Sequence, residues 1–112
     1  MSYDVVLAFR EAVNMTAEEI EAWLETAESR SVGFTYPGES ESVGRQSGRR
    51  IVAILRRAEP LAEDHAHMKK VVGFVRRHRA QRPRSPERSR WRYSLMNWGH
   101  DPLKADLPFG ND

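Results

Sequence analysis

Apolar side chains along this chain recur at helical spacing rather than in strand-like alternation. Val5, Val6, Phe9 and Val13 share one face of a helix predicted over residues 3–13. Asn14-Met15-Thr16 then interrupts. Thr16 is an N-cap residue with Glu19 three positions on, the pattern of a capping box, and Met15 and Ile20 occupy the positions of a hydrophobic staple around it. Ile20, Trp23, Leu24 and Ala27 follow at i, i+3, i+4 and i+7, with glutamates over the rest of the surface, which predicts a second helix over about 17–30. Glu18 and Glu19 in its first turn complement the helix dipole.

Residues 31–46 read as a long loop, rich in turn formers around Pro37-Gly38. Ser47 is the expected N-cap of a third helix reaching about 58, with Ile51, Ile54, Leu55 and Ala58 as its apolar stripe and Arg49, Arg50, Arg56 and Arg57 on the other side. Glu59-Pro60 breaks it, because proline disfavours helical backbone at the residue before it. A fourth helix is predicted over about 62–79. Met68, Val71, Val72 and Val75 are its apolar face, and Lys69, Lys70, Arg76 and Arg77 gather around Gly73. Residues 80–90 hold two prolines and no apolar period, and read as an extended, mobile, Arg-rich linker. Trp91, Leu95 and Trp98 then restart a helical stripe that ends at Gly99, suited to a left-handed C′ position, with Pro102 beyond. Two tryptophans so close together argue that this segment returns to the core. The last residues, 107–112, are expected to fray. The expectation is one all-α domain over 1–112, a compact bundle of four to five helices. Its core is about 3–80 plus a returning segment 91–104, separated by a linker at 81–90. No internal repeat is seen.

A hydrophobic fraction of 39% and a charged fraction of 30% fit a soluble globular chain of one domain. The absence of cysteine excludes disulfides, thiolate metal sites and cysteine nucleophiles. With no signal peptide or apolar run of membrane-spanning length in the sequence, the expected home is cytoplasmic, away from membranes. The net charge of +2 conceals a split. Residues 1–44 carry two basic and nine acidic side chains, a balance of −7, whereas 45–104 carry sixteen basic and five acidic, a balance of +11. Such a split fits a polyanion-binding surface, or two halves that attract each other in the fold. Fifteen of the eighteen basic residues are Arg, which suits bidentate phosphate contact, although genome base composition produces the same bias.

Catalytic chemistry is not evident. There is no glycine-rich phosphate loop, nucleophile elbow or carboxylate pair, and Glu18 and Glu19 are explained by capping. His65 and His67 face different ways on a helix, and zinc needs three or four convergent ligands. No enzyme activity, metal or cofactor is therefore expected. Helices three and four, each with a basic face, could form a helix-turn-helix that grips phosphates, with Gly73 letting a backbone come close; an ordinary hairpin with solvated faces has the same pattern. The linker arginines, Arg82 and Arg84 among them, could be a phosphate-binding arm or a solubilising spacer. The Trp block could stack on bases, but its spacing favours the core; Asn97, His100 and Asp101 beside it could cap a helix or touch a ligand.

Four blocks carry a resemblance: residues 13–16 (Val-Asn-Met-Thr), 48–55 (Gly-Arg-Arg-Ile-Val-Ala-Ile-Leu), 68–72 (Met-Lys-Lys-Val-Val) and above all 91–102 (Trp-Arg-Tyr-Ser-Leu-Met-Asn-Trp-Gly-His-Asp-Pro). Through them the chain, from about residue 9 to 104, resembles a family catalogued as domain of unknown function 3140. The resemblance places relatives in bacteria and fungi, some with a DNA-binding label, and so implies nucleic-acid association without supplying catalytic residues. The expected function is weak, nonspecific association with DNA or RNA through Arg49, Arg50, Arg56, Arg57, Lys69, Lys70, Arg76, Arg77, Arg82 and Arg84. The competing expectation is a protein-interaction or self-association module, in which the acidic second helix and basic later helices meet complementary partners.

Overall fold

In the computed structural model, which describes residues 4–105, the backbone forms seven helices and no strand among the described residues. The first is α1, Val5–Ala12. Asp4 caps it, its carboxylate accepting from the N–H groups of Val6 and Leu7 at 3.1 Å each. The expected start at Tyr3 and the expected fraying of 107–112 lie outside the described residues. α2, Ala17–Leu24, begins at the capping box read from the sequence: Thr16 Oγ1 accepts from Glu19 N–H at 3.1 Å, and the Glu19 carboxylate accepts from Thr16 N–H at 2.8 Å. Met15 and Ile20, the staple, are both buried.

Two expected boundaries are corrected. The second helix does not run to residue 30. It stops at Leu24, and Thr26 caps a separate single turn, α3, Ala27–Arg30. The cause is Thr26 itself. Its hydroxyl donates to the Trp23 carbonyl at 2.7 Å and accepts from Ser29 N–H at 3.1 Å, replacing ladder bonds with side-chain ones. The third long helix, α4, is Val43–Leu55, and its N-cap is Ser42 rather than Ser47. Ser47 lies inside the helix and is buried with Gly44 and Gly48. Small residues thus extend the buried stripe toward the N-terminus where an apolar count scores nothing. α5, Asp64–Arg79, buries Met68, Val71, Val72 and Val75 as its spacing predicts.

α1 packs along α5 and α2 along α4, and α6, Arg90–Asn97, touches α2, α3, α4 and α5. The core is shared by α1, α2, α4, α5 and α6: Phe9, Ile20, Leu24, Ile51, Met68 and Leu95 are each at most 2% exposed. Each such side chain contributes about 1.5–3 kcal/mol by leaving water. The C-terminal block returns as expected. Gly99 takes φ +81°, and a side chain there would also meet Val13 at 3.2 Å. Asn14 and Asp101 bond reciprocally at 3.0 and 2.8 Å, and Gly99 O accepts from Met15 N–H at 3.2 Å. The last turn, α7, is Pro102–Ala105. Residues 80–89 carry no helix, in line with their prolines, but they do not hang free: Pro86 is buried, its carbonyl accepts from Ser89 Oγ at 2.8 Å, and Ser89 caps α6.

Candidate nucleic-acid interface

Of the four arginines expected on the third helix, Arg49 in α4 and Arg56 and Arg57 just past its end are taken up internally. Arg49 grips the Glu41 carboxylate through Nε and Nη2 at 2.7–2.9 Å. Arg56 meets Glu21 fork to fork at 2.7 Å per bond, with Glu18 at 3.8 Å. Arg57 pairs with the buried Asp64, which also accepts from Leu61 N–H at 2.8 Å. These guanidiniums hold the Glu41, Glu21 and Asp64 carboxyls below their ordinary values, Arg49, Arg56 and Arg57 being the leading cause in turn. Arg50 makes only a long contact, 3.5 Å, to the Glu63 carbonyl. Attraction between the acidic and basic halves is therefore realised along α4.

α5 is different. Lys69, Lys70, Arg76 and Arg77 are all exposed and form no ion pair with any described carboxylate. At about 100° per residue they fall within roughly 120° of one another, on the side opposite the Met68–Val75 stripe. Gly73 sits among them, but it does not bare the backbone: Arg77 folds across it, so that a Cβ at Gly73 would lie 3.0 Å from Arg77 Nη1. Of the linker arginines, Arg82 lies over the Trp91 ring, 5.6 Å from its centroid, and Arg84 is exposed. The ten expected phosphate contacts thus divide into an α4 group, three of whose four arginines are ion-paired, an α5 group that faces water, and two linker positions.

The connection between α4 and α5 spans residues 56–63, longer than the three- or four-residue turn of a helix-turn-helix. Between the two helices opens a cavity of about 570 Å³. Gly44 of α4 and Lys69, Lys70, Gly73 and Arg77 of α5 form its walls, Trp98 and Asn97 its floor, and Phe34 its lip. A ladder of rings runs beside it. Trp98 stacks between His67 (6.1 Å) and Phe74 (4.4 Å), and Phe74 stacks on His78 (3.9 Å). His67 and Phe74 are seven residues apart, about 10.5 Å of helix, which leaves room for one ring between them. Burial, reinforced by the charges of Arg50 and Lys70, pushes the His67 imidazole down to about 4, and its Nε2 bonds Ser47 Oγ at 2.9 Å. His78 is lowered too, by burial and then by Arg77. Both rings are neutral at pH 7. Sequence reading missed this ladder; its trace is His67, Phe74 and His78, which line up between the basic and apolar faces of α5.

Also missed was a buried polar network. Arg45, 5% exposed, donates through Nη1 to the Leu24 carbonyl (2.6 Å) and Ser29 Oγ (2.8 Å), and through Nη2 to Glu41 (3.0 Å). Asn97 Oδ1 accepts from Trp23 Nε1 (2.7 Å) and Ser29 Oγ (2.6 Å), while its Nδ2 donates to the Ser29 carbonyl (3.2 Å). Asp101 takes Arg92 in a two-bond pair at 3.1 Å, and His100 Nδ1 bonds the Ala12 carbonyl at 2.7 Å. Arg92, Asn97 and Asp101 thus find partners within the fold, whereas His100 Nε2 is buried with no partner among the described residues. Trp98 is buried as its spacing predicts, and Trp23 and Trp91 are half-buried.

Among the described residues no three His, Asp or Glu side chains converge as a metal site, and no helix is long and apolar enough to cross a membrane. A family model described as protein of unknown function (DUF3140) matches residues 8–96. No curated protein and no solved structure matches the chain.

Proposed function

We propose, for a chain that belongs to the DUF3140 family of proteins of unknown function, that it associates weakly and without sequence preference with nucleic acid through the solvent face of α5. The observation that carries this reading is the unequal fate of the basic residues. Arg49, Arg56 and Arg57 already hold carboxylates, so a phosphate would have to displace an internal partner. Lys69, Lys70, Arg76 and Arg77 carry charge with no described counterion, and phosphate contact releases the counterions condensed on the polymer. From residue 69 to 77 the helix rises about 12 Å, the axial rise of three to four phosphates along one strand at about 3.4 Å each.

Titration of a fluorescent duplex DNA at low salt, followed by anisotropy, tests this. The wild-type Kd should lie at about 10⁻⁴–10⁻⁶ M. The combined variant Lys69→Gln, Lys70→Gln, Arg76→Gln, Arg77→Gln should weaken binding by more than about tenfold, because it removes four phosphate contacts. The variant Arg49→Gln, Arg56→Gln should change it by less than about threefold, since those charges are already neutralised. If the α4 variant lost as much as the α5 variant, the assignment to α5 would be wrong. If the wild type bound no nucleic acid, a protein-interaction module would be the reading left standing.

A further inference from the structure

We propose that the cavity between α4 and α5 accepts one unpaired nucleotide of a single strand, with a base carbonyl at the Trp98 indole N–H and the phosphate among Lys69, Lys70 and Arg77. The inference rests on the nucleic-acid reading above and narrows it from any phosphate backbone to an unstacked one. Four observations carry it.

The first is an indole without an acceptor. Trp98 is 8% exposed, yet its Nε1–H has no partner among the described residues, whereas Trp23 donates to Asn97 and Trp91 to the His78 carbonyl. Solvent reaches this Nε1 from the cavity, so the donor is open to whatever enters there. The Trp98 Nε1 edge lies against Gly44 on the cavity wall, 3.1 Å from where a Cβ would stand. A ligand carrying a carbonyl in a flat ring would supply the missing acceptor.

The second is charge. The lining holds Lys69, Lys70 and Arg77 and no carboxylate, so the occupant is anionic. The third is the lip. Phe34 is 62% exposed but held in place: its carbonyl accepts from Val43 N–H at 2.8 Å, and its ring meets Tyr36 edge-on at 4.8 Å. An exposed, positioned ring beside cations is a stacking platform for a base. The fourth is size. About 570 Å³ lies within the range of small-ligand sites, and Gly44 leaves the Trp98 indole edge uncovered, since a Cβ there would stand 3.1 Å from Nε1. A flat ring bearing carbonyls and a phosphate matches all four. A base paired within a duplex cannot enter, because its edge and faces are occupied, so the occupant is unpaired.

The experiment follows indole N–H signals in ¹⁵N-correlated NMR spectra of the full chain. The Trp98 signal is assigned by its loss in Trp98→Phe. Oligo-dT should shift it and leave the Trp23 and Trp91 signals in place, blunt duplex should not shift it, and free thymidine monophosphate should shift it only at higher concentration. Gly73→Leu fills the cavity and keeps every charge. It should weaken oligo-dT binding about tenfold and leave duplex affinity unchanged, with Gly73→Ala as the folded control. Should Gly73→Leu fail to fold, Trp98→Phe gives the same comparison, removing the donor and keeping a ring. A motionless Trp98 signal with oligo-dT, or equal loss of both ligands in the cavity variants, overturns the cavity while leaving phosphate binding by α5 intact. A shift with the monophosphate but not the oligomer overturns the strand as occupant. Failure of the wild type to bind either polymer overturns both proposals.

Discussion

Two glycines in two helices should respond in opposite directions to the same substitution. Gly48 of α4 faces α6, and a Cβ there would stand 2.7 Å from the Asn97 backbone oxygen and 3.2 Å from Leu24 Cδ2. The Asn97 oxygen cannot swing aside, because the Asn97 side chain ties that end of α6 to Trp23 and Ser29. Gly48→Ala must therefore push α6 away from α4. Overpacking of this kind costs about 1–3 kcal/mol, and the better helix propensity of alanine returns up to about 1 kcal/mol, for a net loss of about 1–2 kcal/mol. At Gly73 the nearest atom is the mobile end of Arg77, at 3.0 Å, which can move. Gly73→Ala should keep the propensity gain and stabilise by up to about 1 kcal/mol. The two variants then differ by about 1–3 kcal/mol, or roughly 4–13 °C in Tm for a chain of this size. Thermal and urea unfolding followed by far-UV circular dichroism measure both. A Gly48→Ala protein as stable as Gly73→Ala would refute the close α4–α6 approach on which the central packing rests.

Arg45→Met should cost about 2–4 kcal/mol, since it strips the partner from the Leu24 carbonyl and Ser29 inside the core; a loss below about 0.5 kcal/mol in urea titration would show that the network contributes little. Stability should fall as pH drops from 6.5 toward 4, because the unfolded chain binds a proton at His67 there and the folded one, with this imidazole at about 4, does not. Allowing for the partly solvated ring, the loss is about 1–2 kcal/mol by the end of that window. His67→Gln should flatten the curve in part, His78 and His100 being lowered as well; an unchanged slope would remove His67 from the account.

Local signals were legible in the sequence. The capping box at Thr16 involves residues three apart, and the Met68–Val75 stripe repeats within one helix, so both are written in neighbouring positions. The break at Thr26 was hidden because its surroundings are rich in Glu and Ala and read as continuous helix. The start of α4 was hidden because glycine and serine, not leucine, cover its buried face. What composition could not give was the pairing of charges. A balance of +11 over 45–104 does not say that Arg56 meets Glu21 or that Arg57 meets Asp64, since those contacts are set by how α2, α4 and α5 pack. The block from Trp91 to Pro102, where the resemblance is most specific, is largely absorbed by folding: Arg92, Asn97 and Asp101 all have internal partners. The Trp98 indole N–H in that block stands at a cavity wall with no partner among the described residues, and no spacing rule separates it from the other two tryptophans.

Salt dependence of duplex binding decides most directly whether the α5 face is a phosphate-binding surface. With log Kobs plotted against log salt concentration, four contacts from Lys69, Lys70, Arg76 and Arg77 give a slope of about −3.5, the same for unrelated sequences. The four-fold glutamine variant should fall to a slope near zero while its circular dichroism spectrum stays that of the wild type. A wild-type slope near zero, or a steep slope that survives in the variant, would contradict the assignment of binding to this face.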